Sequence, residues 1–202
     1  MQKLINGYRA FRAGRWLEER NHYEELAKGQ APEYLVISCC DSRVDPATIF
    51  GVRPGELFVL RNVANIVPPY EESGGFHGTS AAISFAVLGL NVHYIVVMGH
   101  AQCGGVKAAL DTSGATAAPM PFLSQWLDLI TPVVARCGHE HDPQTALERE
   151  AVKLSLERLM TFPFIAERVA AGMLSLEGAR FGIADGELEW LDKKSGKFHT
   201  VV

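Results

Sequence analysis

Two short apolar runs each stop at a polar turn rich in cysteine or histidine, and this pairing constrains the fold more than any other feature. They are Tyr34-Leu35-Val36-Ile37-Ser38-Cys39 and Tyr94-Ile95-Val96-Val97-Met98, the second closing at Gly99. Short, β-branched runs without polar alternation read as strands buried on both faces, the pattern of a parallel sheet covered by helices. Leu57-Phe58-Val59-Leu60 is a third such run, entered through the turn signal Arg53-Pro54-Gly55. Between and after the strands, 79–90 reads as a buried helix rich in Ala, Leu and Val, and a further helix begins after Gly104-Gly105. Segments 122–136 and 143–160 are also helical in pattern, whereas 111–121 is small, polar and proline-bearing, a loop. The alternating stretches 173–176 and 188–191, set among glycines, read as a late strand and a hairpin. The spacing therefore predicts an α/β fold, with a mainly parallel central sheet flanked by helices and a C-terminal hairpin.

The first part of the chain differs. From Asn6 to Leu26, Tyr8, Phe11, Trp16, Leu17 and Tyr23 sit among many charges, the pattern of an exposed helix whose aromatics serve a partner surface. Residues 1–28 are thus expected to form a helical arm and 29–202 the catalytic α/β core of a single domain. With 19 Lys and Arg against 23 Asp and Glu, the net charge of −4 argues against nucleic acid or an anionic membrane as partner. No apolar stretch approaches the ~20 residues of a membrane span. No secretory signal is evident at the start, so a cytoplasmic location is expected. Four cysteines in 202 residues are too sparse for a disulfide framework and point to metal before disulfides.

The chemistry lies at the two strand ends. One reads Cys39-Cys40-Asp41-Ser42-Arg43, the other Gly99-His100-Ala101-Gln102-Cys103-Gly104-Gly105. Ligands in open α/β sheets gather outside the carboxyl ends of strands, so these loops can converge. Cys39, His100 and Cys103 then offer two thiolates and one imidazole, a set that suits Zn²⁺, one per chain, and leaves the fourth tetrahedral position open. Two thiolates neutralise the ion's formal charge, so a bound water is less acidic than in an all-histidine site and some alkaline preference follows. Gly104-Gly105 lets backbone approach closely at a helix start, where N–H groups favour the Cys103 thiolate or a bound anion. Asp41 and Arg43 are spaced for a bidentate pair that keeps the carboxylate ionised, an orienting base beside the metal. Cys40, pointing away by strand alternation, reads as a small core residue. Cys137-Gly138-His139-Glu140-His141, between two helices, reads as a solvated linker. His22, His77, His93 and His199 read as surface or hydrogen-bonded residues.

Taken together, Cys39-x-Asp41-Ser42-Arg43, His100-x-x-Cys103-Gly104-Gly105 and the intervening Arg61-Asn62-Val63-Ala64-Asn65 resemble the β-class carbonic anhydrases, in detail from about Leu26 to Leu110. The resemblance implies reversible hydration of CO₂ to bicarbonate by zinc-hydroxide attack, with zinc on Cys39, His100 and Cys103 and an Asp41–Arg43 dyad. It further implies Gln30, Phe58, Val63, Phe85 and Gly104 as substrate-binding residues, Phe85 standing where plant-type members carry Tyr. A homodimer with the site at its interface, paired again into tetramers or larger, is also implied. Val36, Ile37 and Ser38 stand where members with a bicarbonate-regulated, closed site carry a Trp, so the open, plant-type site is expected. Arg61 matches the Arg of that regulatory site, but Asp45 would repel an anion there. The rival readings are hydrolysis of a CO₂ analogue such as carbonyl sulfide at the same site, a structural zinc module, and a redox dithiol.

Overall fold

The computed structural model describes residues 1–75, 77–112 and 120–201, and its sheet is built from the apolar runs. Strands β1 (Tyr34–Cys39), β2 (Leu57–Asn62), β3 (Tyr94–His100), β4 (Ser175–Phe181), β5 (Leu188–Asp192) and β6 (Lys197–Thr200) lie in one sheet of order β2-β1-β3-β4-β5-β6. The first four run parallel, and β5 and β6 add antiparallel. From β1 the chain passes to β2 on one side, and from β3 it passes to β4 on the other. A crevice therefore opens at the carboxyl ends of β1 and β3, the switch point where α/β sheets place their ligands. The register, Ser38 opposite Met98, sets Cys39 and His100 at neighbouring strand ends.

The chain divides into two units, Met1–Ala31 and Pro32–Val202. The first holds α1 (Gln2–Ala13), α2 (Arg15–Glu18) and α3 (Arg20–Leu26), so the single helix read over 6–26 is broken at Gly14 and Glu19. None of the three buries a residue, in keeping with their polar composition; Phe11 meets Tyr23 edge-on and Arg12 stacks over Trp16.

The second unit carries α4 (Pro46–Phe50), α5 (Gly78–Ser84), α6 (Gly104–Thr112), α7 (Leu123–Leu127), α8 (Thr131–Cys137), α9 (Pro143–Leu159) and α10 (Pro163–Ala170). On one sheet face Leu35, Ile37, Ile95 and Val97 pack with Ile83, Val87, Val152, Leu159, Phe162 and Ile165. On the other, Val36, Val96, Met98 and Ala179 meet Ile49, Phe50 and Trp190. Each such fully buried aliphatic side chain contributes about 1.5–3 kcal/mol. Among the described residues no helix is long and apolar enough to cross a membrane.

Several elements depart from the sequence reading for identifiable reasons. The short α4 and α10 lack a long apolar period; α4 forms because Asp45 caps it through the Thr48 N–H at 2.9 Å, and α10 because Ile165 is buried. The helix read over 79–90 is α-helical only to Ser84 and then widens into a π-turn, Phe85–Gly89. It is not wholly buried, since Phe85 and Leu88 are exposed. β4 starts later than Met173 and runs through Gly178, where a Cβ would come within 3.0–3.2 Å of Val152, Leu156 and Leu191. That glycine is a close-packing residue under α9, not a turn. The loop expected over 111–121 lies largely outside the described residues, and Asp111 and Thr112 belong to α6.

Candidate metal centre

The β1 and β3 ends bring Cys39, His100 and Cys103 together as a buried group whose ligand atoms all lie within 4.8 Å of one another. The sulfurs of Cys39 and Cys103 are 3.9 Å apart. His100 lies 2.9 Å through Nδ1 from the Ala101 carbonyl, an acceptor, so Nδ1–H donates and Nε2 is the nitrogen left over. That Nε2 is buried without any hydrogen-bond partner. Two sulfurs and an orphaned imidazole nitrogen in one buried pocket form a soft donor set that fits a zinc ion.

The local chain explains this convergence. Gln102 adopts a positive φ of 55°, reversing the chain so that Cys103 returns to the site at the head of α6. Ala64, at φ 61°, turns its N–H toward the Cys39 sulfur at 3.4 Å. A Cβ on Gly105 would lie 2.7 Å from Val63 Cγ1 and 3.1 Å from Ala64 Cβ, so only glycine lets the start of α6 press against this turn. The two sulfurs lie within hydrogen-bonding reach of each other. The hydrogen bond between them pushes Cys39 well below its ordinary value despite burial. The same bond, with burial, pushes Cys103 up. Burial pulls His100 down, but the Cys39 sulfur outweighs it and leaves the imidazole more basic than usual.

Asp41 lies beside this group, its Oδ2 3.9 Å from His100 Nε2. Both carboxylate oxygens are taken by the Arg43 fork, Nε to Oδ1 at 2.9 Å and Nη2 to Oδ2 at 2.7 Å, and the Arg43 N–H adds a third bond at 2.9 Å. The guanidinium hydrogen bond is the main cause that holds the Asp41 carboxyl well below the usual carboxylate range. Arg43 also reaches the Gln102 carbonyl at 3.2 Å, linking the two motif loops.

The substrate residues are more scattered. Val63 is half-buried against Gly105, and Gly104 is exposed at the head of α6 with nothing within 4 Å of its absent Cβ. Phe58 pairs with Leu35 while Cys39 pairs with Asn62, which puts Phe58 four strand positions, about 13 Å, back from the metal-binding end. Phe85 meets Phe58 with tilted rings, centroids 5.8 Å apart, and is exposed, so both sit away from their own chain's Cys39. Gln30 is exposed after α3, within the first unit.

Three residues correct the sequence reading. Cys40 is not in the core but exposed, one position past the end of β1, with its N–H on the Asn62 carbonyl at 2.9 Å. Cys137 is buried at the end of α8 rather than in a linker, although His139 and His141 are exposed. His77 buries an Nε2 that has no partner.

Two structural roles were not read from the sequence, that of Arg61, which the resemblance matches only to a regulatory-site Arg, and that of Glu148. Arg61, on β2, clamps the loop after β1 by donating to the carbonyls of Cys39, Asp41 and Val44 at 2.7–2.9 Å. Glu148, on α9, accepts the Cys103 N–H at 3.1 Å. Its signal was present: Glu148 falls on the stripe of Val152, Ser155 and Leu159, where a helix buries its side chains.

The carbonic anhydrase family model matches residues 34–188. Beta carbonic anhydrase 3 of Arabidopsis thaliana is 33% identical over 196 residues, spanning 94% of this chain and 76% of that protein. The chain belongs to the β-carbonic anhydrase family. Beta carbonic anhydrase 5, chloroplastic, of the same plant is 37% identical over 187 residues, 89% of this chain but only 61% of the longer relative. Among solved structures, the β-carbonic anhydrase CcaA is 34% identical with a TM-score of 0.91, covering 100% of this chain and 92% of its own. A tetrameric β-carbonic anhydrase of Sordaria macrospora is 31% identical with a TM-score of 0.82, covering 94% of this chain and 95% of its own. The sheet, the arm helices and the antiparallel C-terminal strands are those of a β-carbonic anhydrase.

Proposed function

We propose that this chain is a zinc-dependent carbonate dehydratase that interconverts CO₂ with bicarbonate and a proton. The observation that carries the reading is the pairing of an orphaned Cys39–His100–Cys103 donor set with a carboxylate already committed to Arg43. Cys39, His100 and Cys103 would hold the zinc, which would supply the nucleophile by lowering the pKa of water. Asp41, its carboxyl held well below the usual range by the Arg43 hydrogen bond, is placed to accept a hydrogen bond from the attacking water and aim its lone pair at carbon. Arg43 fixes that carboxylate and keeps it from moving inward to become a fourth ligand. Val63 offers CO₂ an apolar wall, and the bare Gly104 leaves room beside it at the head of α6.

Phe58 and Phe85 complete the apolar pocket only if a second copy brings them to the site, because in their own chain they are remote from it. β2 is an edge strand with exposed Val59, and Phe85 and Leu88 are exposed as well, a surface suited to pairing with another copy. A homodimer is therefore the minimal active species, and the tetrameric Sordaria macrospora relative supports assembly beyond it. Gln30 from the arm is assigned as the donor to a substrate oxygen.

A structural zinc module is disfavoured, because such sites are closed by a fourth protein ligand and only three side chains converge among the described residues. Stopped-flow CO₂ hydration with a pH indicator tests the reading. The zinc-loaded chain should accelerate hydration, the zinc-depleted chain should not, and restored zinc should restore the rate. Stoichiometric zinc with hydration at the buffer rate would refute the assignment.

A further inference from the structure

We infer that Glu148 is a positioning residue for the Cys103 arm of the metal centre, held in place by Arg180; this rests on the zinc reading above. Glu148 is a buried carboxylate whose two oxygens have different tasks. Oε1 accepts the Cys103 N–H at 3.1 Å and the Gln144 side-chain amide at 3.2 Å. Oε2 is taken by Arg180, 2.9 Å from Nε and 2.8 Å from Nη2. Arg180 stands on β4 opposite Gly99 and reaches on to Glu189 and Thr145, both at 3.3 Å. Glu189 is in turn paired with Arg149.

The fold brings α9 close enough for this contact. A Cβ on Gly99 would meet Val152 Cγ2 at 2.9 Å and the Glu148 carbonyl at 3.5 Å, so the missing side chain lets α9 lie on the end of β3. Cys103 precedes α6, so its N–H has no partner in that helix and, being buried, requires an acceptor. With Gln102 reversed at positive φ, rotation of the next peptide decides where the Cys103 sulfur lies. Glu148 fixes that rotation. A buried ion pair alone is weak evidence for stability, and replacing both partners by apolar residues is often neutral. Here one oxygen of the pair is spent on the backbone of a metal ligand.

The two roles separate experimentally. Glu148→Ala should weaken zinc binding about 10–100-fold, the usual effect of removing a group that orients a ligand. It should also shift the thiolate-to-metal bands of the cobalt-substituted protein. Ser155→Ala is the control on the same helix, because Ser155 bonds Asn65 and Val67 and should lose stability without losing zinc affinity. The double variant Glu148→Leu/Arg180→Met removes both buried charges. It should recover stability yet retain the zinc defect, because the Cys103 N–H still lacks its acceptor. Zinc affinity is read by chelator competition on the holoenzyme well below its melting temperature. Wild-type affinity in Glu148→Ala, or in the double variant, would overturn the inference, whereas failure of wild type itself to bind zinc would overturn the functional reading instead.

Discussion

Adjacent glycines at the head of α6 should respond oppositely to the same substitution. An alanine Cβ at Gly105 would lie 2.7 Å from Val63 Cγ1 and 3.1 Å from Ala64 Cβ, against about 3.5–4.0 Å for a comfortable carbon contact. Val63 is stiff at χ1, and the Ala64 methyl is fixed to its own backbone, so neither yields without moving the turn. Overpacking of this kind costs about 1–3 kcal/mol. The intrinsic helix preference of alanine over glycine offsets at most ~1 kcal/mol, leaving roughly 0–2 kcal/mol net. At ~2–4 °C per kcal/mol for a chain of this size, Gly105→Ala should melt up to about 8 °C lower. Gly104→Ala meets nothing within 4 Å and should melt at or slightly above wild type. Calorimetry on the two zinc-loaded variants reads the difference. Because the displaced turn carries the Ala64 N–H that faces Cys39, Gly105→Ala should also bind zinc more weakly. A Gly105→Ala variant melting at or above Gly104→Ala would refute the packing argument.

Cys39→Ser should lose zinc and activity, whereas Cys40→Ser, altering an exposed thiol outside the ligand group, should keep one zinc per chain; equal loss in both would reject the ligand assignment. Arg43→Ala should retain zinc but lower CO₂ hydration, since Asp41 is freed. The Asp41 carboxyl pKa is depressed chiefly by its hydrogen bond from Arg43, so its ionised form is lost only far down the acid range; in Arg43→Ala that loss should begin at higher pH, and an Asp41 carboxyl NMR titration unchanged from wild type would contradict the pairing. Zinc addition to the metal-free protein at pH 8.5 should release about one proton from Cys103, because the hydrogen bond from Cys103 holds Cys39 as the thiolate, and up to one more from zinc-bound water. Release of more than two protons at pH 8.5 would reject that pairing of the two sulfurs.

The strand ends were legible because buried β-strands and their terminal motifs are both local. Cys39, His100 and Cys103 needed only the rule that parallel strands present their carboxyl ends together. Glu148 was not read because its partner lies 45 residues earlier, although its place on the buried stripe of α9 was a signal. Gly178 was placed only among the glycines around the late strand and hairpin, because a glycine demanded by a neighbouring helix looks the same in sequence as one demanded by φ. Cys40 misled for a related reason: alternation assumes that the strand continues, and β1 ends one residue earlier. The place of Phe58 and Phe85 depends on register and on which copy they serve, and spacing along one chain encodes neither.

The proposed metal centre has three protein ligands and a carboxylate kept aside. A crystal structure near neutral pH, with anomalous data at the zinc edge, is the decisive measurement. It should show one zinc on Cys39, Cys103 and His100 Nε2, a solvent oxygen as the fourth ligand, and Asp41 still forked by Arg43. An Asp41 oxygen at roughly 2.0–2.2 Å from the zinc, ordinary bonding distance, would contradict that arrangement.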